Sequence, residues 1–398
     1  MFGLLLLVIY LTFISLGLPD SLLGSAWPSM YEMLGVSVSY AGMISMIIAG
    51  GTILSSLFSD KLIRKLGTSK VTLISVAMTA VALLGFSFSN SFWQLCLWAI
   101  PYGLGAGSVD AALNNFVALH YQARYMSWLH CFWGIGATTG PYIMGFCLTR
   151  GLKWNTGYLV TGLTQIILVV FLALSLPLWN AKSKSSKTSV SPQKGIGIKE
   201  AIRLPGAKAI LTAFFCYCAL EATAGLWASS YLVLYKGVHA ETAAKWAALF
   251  YLGITIGRFF CGCIADRLGD KTMVRCGQAI ALSGTVFLLL PLGAYITLFG
   301  LVLAGLGCAP MFPSLLHATP NNFGADNSQS IMGLQMACAY AGTTVMPPLF
   351  GLIAEHISIR LYPFYLMLFV VLMFFMAERM NKIKAHNMKA EILTSLNS

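Results

Sequence analysis

Charge is the scarcest ingredient of this sequence: Asp, Glu, Lys and Arg fill only 10% of its 398 positions, against 58% that are apolar. A soluble globular domain carries about a quarter charged residues, so this chain cannot wet an ordinary protein surface and lipid must cover much of it. Cysteine offers no framework. None of the ten is spaced as CxxC, and Cys216/Cys218 and Cys261/Cys263, two apart, point in different directions on a helix. Nearly all lie in apolar stretches, where the thiol acts as a small hydrophobe, so neither disulfides nor a metal site are expected. Acids clustered as DxxD and histidines paired as HxxxH are also missing. The metal-bound phosphate chemistry of a membrane-embedded transferase needs such clusters; the expectation is no enzyme and no cofactor. No soluble signalling domain is read either, which argues against a membrane sensor.

The charge that is present is mostly positive, net +12, and its placement argues against nucleic acid. Of the 25 Lys and Arg, 19 fall in alternate loops and the C-terminal tail, assigned to the inside; five (Arg150, Lys153, Lys236, Lys245, Arg360) fall in the other loops, and Arg258 lies within a helix. That is the positive-inside pattern of a multi-pass membrane protein. The first apolar run has no positive n-region and carries Pro19 and Asp20, so it reads as a spanning helix rather than a cleaved signal.

A span needs about 20 apolar residues. Runs of that kind predict helices near 3–31, 38–59, 71–88, 92–119, 126–148 and 156–179, then near 208–235, 242–265, 272–293, 295–317, 329–353 and 361–380. The expected organisation is an all-α membrane protein with an N-terminal six-helix bundle over 1–180 and a cytoplasmic linker over 181–207. A C-terminal bundle over 208–380 and a cytoplasmic tail over 381–398 complete it. An even number of crossings puts both termini on the cytoplasmic side of a plasma membrane, the bacterial inner membrane being the natural setting.

The halves repeat. Gly51 and Asp60 recur as Gly257 and Asp266, and Gly136, Thr138, Pro141 and Gly145 recur as Gly342, Thr344, Pro347 and Gly351, both offset by 206. Asp20 with Gly24 parallels Glu221 with Gly225, and each pair precedes Trp-x-x-x-Tyr, as Trp27/Tyr31 and Trp227/Tyr231. Two similar bundles imply a pseudo-two-fold axis and a site near the bilayer midplane.

A carboxylate in hydrocarbon costs at least a few kcal/mol and is functional by default. Asp20, Asp110 and Glu221 qualify. Asp20, Gly24, Trp27 and Tyr31 share one helical stripe, an acid beside aromatic rings that suits sugar hydroxyls and their apolar C–H face; alternatively Asp20 caps a kink at Pro19. Asp110 and Asn114 are four apart on a face lined by Gly103 and Gly107, which permit close helix approach. Asp110 is the better candidate for a group that gains and loses a proton, and Asn115 binds substrate or simply joins helices. His130 binds substrate, relays protons or satisfies a backbone carbonyl. Glu221 is a second coupling group or a ligand, while Trp133, Trp227 and Gln335 complete the candidate substrate contacts, with packing or interface roles open for the tryptophans. Arg258 either snorkels or pairs with a gate carboxylate, and Pro310 and Pro313 predict a kink.

Together these features resemble the major facilitator superfamily over the whole chain. Gly51 to Gly67, with Asp60, Lys61, Arg64 and Lys65, looks like a loosened form of its gating motif, and Ala265-Asp266-Arg267-Leu268-Gly269-Asp270-Lys271 is similar to a closer copy. The resemblance implies a gating role for Asp60, Arg64, Arg258, Asp266 and Arg267. Within the superfamily, Asp110-Ala-Ala-Leu-Asn114-Asn115-Phe116 and Trp128-Leu-His130-Cys-Phe132-Trp133-Gly-Ile-Gly136 are similar to the fucose-permease-like branch. There, acids in helices one and four serve substrate binding and proton coupling, which implies those roles for Asp20, Asp110 and Asn114, with His130 where that branch places a polar substrate contact. Asp110 stands for a longer Glu, and Asn115 for a Pro. The implied function is proton-coupled symport of a sugar-like solute by a monomer in the bilayer, with sodium serviceable by the same ligands. The rival is proton-driven export of drugs or metabolites, since Gly136-Ala-Thr-Thr-Gly140-Pro141 resembles part of the helix-five motif of antiporters.

Overall fold

The computed structural model describes residues 2–37, 40–185 and 196–396; of the expected linker, 186–195 lie outside the described residues. Among those described, long helices account for nearly the whole chain and no strand occurs. The molecule divides into two compact units, Met1–Phe116 with Trp128–Gly195, and Val117–Ser127 with Ile196–Ser398.

In the first unit α1 runs over Phe2–Asp20 and resumes over Leu22–Leu34, followed by α2 (Tyr40–Leu66), α3 (Thr68–Phe88), α4 (Phe92–His120), α5 (Ala123–Thr149) and α6 (Trp154–Ser185). In the second, a short helix Ile198–Arg203 precedes α7 (Ala207–Leu234). The stretch Ala240–Leu289 holds two helices, because Gly269 at φ 73° and ψ 158° interrupts it; these are α8 (240–268) and α9 (270–289). Then come α10 (Ala294–His317), a turn of helix at Thr319–Phe323, α11 (Ala325–Ile353) and α12 (Tyr362–Leu396), the last two separated by a π turn and a 3₁₀ turn. The twelve expected spans are thus all helices. Among the described residues, eight stretches are long and apolar enough to cross a membrane, two of them, Trp246–Leu289 and Ala325–His386, at 44 and 62 residues long enough to do so twice. α4 and α5 fall outside that set, and they carry Asp110, Asn114, Asn115 and His130.

Two boundaries depart from the hydropathy reading for a physical reason. α12 continues past residue 380 to Leu396, because no Gly or Pro follows Pro363 there and helices stop at breakers rather than where apolarity fades. α1 is not continuous, since Ser21 sits at φ −107° and ψ 0°. Pro19 has no N–H to offer the carbonyl of Ser15, and in a dry interior that carbonyl needs another donor. Gln165 of α6 supplies it, Nε2 to the Ser15 carbonyl at 2.7 Å, and Gln165 in turn accepts from the Thr79 hydroxyl of α3 at 2.9 Å. Pro141 in α5 likewise frees the carbonyl of Ala137, which accepts from the Ser21 hydroxyl at 2.5 Å.

Glycine sets the helix spacing, and the repeat shows in the contacts. A Cβ on Gly51 would lie 3.2 Å from Gly103 of α4, and one on Gly257 would lie 2.5 Å from Ala309 of α10, each residue displaced by 206. A Cβ on Gly136 would run into the Ile14 carbonyl of α1, and one on Gly342 would come within 2.6 Å of the Phe215 carbonyl of α7. Gly145 has open space about it. Gly136→Ala and Gly342→Ala should therefore each destabilise by about 1–3 kcal/mol, the usual cost of overpacking, while Gly145→Ala should be neutral or mildly stabilising. Thermal unfolding in detergent reads all three; a uniform response would show that these contacts do not set the packing.

Candidate functional site

The first unit holds a polar cluster on α1, α4 and α5. Asp20, beside the α1 break, is exposed, yet both carboxylate oxygens are engaged by other helices. The Tyr102 hydroxyl donates to Oδ1 at 3.1 Å and the Trp133 indole N–H to Oδ2 at 2.9 Å. An ionised carboxylate has roughly four lone-pair sites, so these two donors orient Asp20 while leaving acceptor capacity for a hydroxyl-bearing ligand. Tyr102 is buried and Trp133 half-buried.

Eight residues along α4 from Tyr102, roughly 12 Å at the helical rise, lies Asp110. The Asn114 amide donates to the Asp110 carboxylate at 2.8 Å and to its carbonyl at 3.0 Å, and the Asn114 oxygen meets His130 Nε2 at 3.0 Å. With the amide nitrogen committed to Asp110, its oxygen faces the ring, and this orientation puts hydrogen on Nε2. Phe13 of α1 sets its ring edge-on to His130 at 5.5 Å. Asn114 and His130 are buried, Asn115 beside them also, and Asp110 is half-buried. The single stripe expected for α1 does not form: Asp20 and Gly24 are exposed, whereas Trp27, beyond the break at Ser21, packs in the core with Met30, Phe86 and Trp154.

The second unit builds its own cluster from α7 and α8. Glu221 accepts from the Tyr217 hydroxyl one turn earlier, and Arg258 lies 3.6 Å from Glu221 and 3.3 Å from the Tyr217 oxygen. Arg258 is buried at 4% exposure, so it pairs rather than snorkels. Trp227 spends its indole N–H on the Pro347 carbonyl at 2.9 Å, and Gln335 is fully buried, accepting from the Thr319 hydroxyl at 3.0 Å.

The motif residues sit at helix ends. Asp60 takes both oxygens to Arg64 within α2, at 3.0 and 3.1 Å. In the second unit, which includes the α4–α5 connection, Asp266 accepts from the Arg124 backbone N–H at 3.1 Å and from the Arg124 guanidinium. It thereby supplies an acid at the first turn of α5, where the helix dipole favours one. Arg267 beside it is exposed. His317 lies between the Asp270 carboxylate, 2.8 Å from Nδ1, and the Tyr121 carbonyl, 3.2 Å from Nε2. Both neighbours are acceptors, an arrangement satisfied only when both ring nitrogens carry hydrogen. Burial, with Tyr125 adjacent, pushes the Tyr121 phenol up to about 12.

Sequence reasoning did not select Tyr102, Gln165, Tyr217, Arg124 or His317. Tyr217 alone had a local signal, its four-residue spacing from Glu221; the others depend on which helices meet.

A model of the Major Facilitator Superfamily matches residues 9–244 and 210–387. The chain is 24% identical over 397 residues to "Bypass of stop codon protein 6" of Saccharomyces cerevisiae, covering 90% of this chain and 79% of that one. It is 22% identical over 320 residues to the glucose/mannose transporter GlcP of Bacillus subtilis, covering 77% of each. Among solved structures it is similar to the E. coli fucose:proton symporter FucP, with a TM-score of 0.74, 16% identity and 95% and 98% of the two chains covered. It is also similar to the human organic anion transporter MFSD10 (TETRAN), with a TM-score of 0.74, 14% identity and 94% and 98% covered. At such identities the solved structures speak for the fold alone.

Removing Arg258, which is buried, leaves the half-buried Glu221 without its cation. Arg258→Met should cost about 3–5 kcal/mol, and adding Glu221→Leu should recover much of the loss. A double-mutant cycle on unfolding in detergent measures the coupling; strictly additive costs would show that Arg258 stabilises the unit by another contact.

Proposed function

Because the chain belongs to the Major Facilitator Superfamily, a family of multi-pass membrane transporters rather than enzymes, we propose that it imports a small polar solute, a sugar or polyol, together with a proton. Transport proceeds by alternating access across a plasma membrane, with both termini and the linker on the cytoplasmic side, as the placement of basic residues favours. The observation that carries this reading is Asp20, a carboxylate within an apolar span, accessible, with a phenol and an indole fixing its two oxygens. Such a group offers acceptors to hydroxyls beside a ring for an apolar sugar face. Asp110 is the proton acceptor of the proposal, since a carboxylate at this depth is costly to keep charged. Asn114 and His130 hold it in place. Glu221 serves as a second ligand or coupling group, its charge balanced by Arg258. The printed descriptions of two relatives, a glucose/mannose transporter and a fucose:proton symporter, support sugar as the solute class.

A second reading, proton-driven export, draws on the tight approach of α5 to α1. Cβ atoms on Gly136 and Gly140 would strike the Ile14 and Leu18 carbonyls, and these glycines belong to the segment resembling the antiporter motif. The two readings differ in sign. Under symport, adding solute to vesicles carries protons inward with it; under export the protons move against the solute.

A thermal-shift screen of sugars, polyols, nucleosides and drugs identifies a ligand, because binding raises stability. With that ligand, Asp110→Asn should abolish uptake driven by a pH gradient while preserving counterflow exchange. Uphill accumulation by this variant would remove Asp110 from coupling. Asp20→Asn should weaken binding about tenfold or more, since hydrogen bonds to a charged acceptor are worth about 1.5–3 kcal/mol; an unchanged isotherm would place the ligand elsewhere.

A further inference from the structure

The acid-x-x-x-Gly repeat has different surroundings in the two units. Gly24 of α1 has open space about it, whereas a Cβ on Gly225 of α7 would run into the phenol oxygen of Tyr251 on α8. Glycine thus lets that ring lie across α7 one turn beyond Glu221. The contacts run antiparallel: Arg258 meets Tyr217 and Glu221, and Tyr251, two turns earlier on the same stripe of α8, meets Gly225. Leu252, Ile256, Phe259 and Phe260, exposed and apolar, occupy a different face of α8. Both contacts of Glu221, the Tyr217 hydroxyl and the Arg258 guanidinium, fall on Oε2. No described residue donates to Oε1, and the side chain is half-buried rather than sealed. Tyr251 is 48% exposed and within electrostatic reach of Glu221. Its hydroxyl makes no hydrogen bond with any described residue, and fully buried Phe250 sets the ring edge-on at 5.3 Å. An accessible acceptor and an accessible donor therefore stand about one helical turn apart.

We propose that Glu221 Oε1 and the Tyr251 hydroxyl form a recognition site in the second unit for a neutral solute bearing several hydroxyls. One solute hydroxyl donates to Glu221 and another accepts from Tyr251. A hydroxyl does both, so such a solute satisfies the pair at once, whereas an ammonium meets only the acid and a carboxylate only the phenol. Arg258 already balances the charge of Glu221, which removes the advantage a cationic solute would have. The site rests on the reading of the chain as a sugar or polyol carrier and adds Tyr251 to it as a specificity residue.

The test uses full-length protein purified in detergent and binding isotherms read by thermal shift. The probes are D-glucose, D-galactose, D-xylose, D-sorbitol and D-mannitol, with the monodeoxy derivatives of each. At least one parent compound should stabilise the wild type saturably. Tyr251→Phe should weaken that compound about two- to tenfold, the worth of one neutral hydrogen bond. One of its monodeoxy derivatives should bind both proteins equally, because the hydroxyl that Tyr251 meets is already missing. Gly225→Ala, which displaces the ring, should weaken the parent as much and add nothing when Tyr251 is already Phe. Tyr295→Phe, which removes an exposed phenol at the start of α10, should change nothing. If Asp20→Asn weakens binding and Tyr251→Phe does not, the carrier reading stands and this site falls. A loss of equal size for the parent and every deoxy derivative makes Tyr251 a packing residue and also overturns the site. Binding of no probe by the wild type overturns the sugar or polyol reading and this site with it.

Discussion

A carbonyl deprived of its helical N–H cannot be left bare in hydrocarbon, and in the first unit two such carbonyls are answered by side chains from other helical segments. Pro19 orphans Ser15 and Gln165 answers; Pro141 orphans Ala137 and Ser21 answers. Each remedy comes from a different helix, so α1, α3, α5 and α6 are tied together by the need to satisfy backbone that proline has exposed. Asp20 follows Pro19 directly. Its position at the α1 break, where Tyr102 and Trp133 can both reach it, follows from the proline rather than from any preference of the acid itself. Glycine makes the arrangement possible, since α5 approaches α1 closely enough for Ser21 to reach Ala137 only where Gly17, Gly136 and Gly140 leave room.

The two units share this framework and diverge in what they mount on it. The contacts of Gly51 and Gly257 are related by the same sequence displacement, as are the glycines that pack α5 on α1 and α11 on α7. The acids are not equivalent. Asp20 is held by neutral donors and is accessible, whereas Glu221 sits beside a buried guanidinium. A duplicated scaffold has therefore acquired one acid with open acceptor capacity and one that is internally neutralised.

The architecture was legible in the sequence to a large extent, because spanning length, breakers and the placement of basic residues are local properties. Twelve helices and their order follow from apolar runs alone, and the 206-residue displacement predicts contacts that the helices make. Where the reading fell short, the cause was non-local. Periodicity places Trp27 beside Asp20, but the helix breaks at Ser21 and Trp27 lies in the core. Tyr102 and Gln165 carry no motif and acquire meaning only from the helix that comes to lie against them. The pairing of Arg258 with a carboxylate was one of two readings, and burial decided between them.

The chain from Asp110 through Asn114 to His130 looks like a proton wire, yet its middle member is a primary amide. An amide passes a proton along only by becoming an imidic acid, so Asn114 transmits orientation without conducting charge. It works as an insulator between a carboxylate and an imidazole. Asp110 and His130 are thus coupled through the geometry of one amide, and the chain offers no route by which a proton could pass between them.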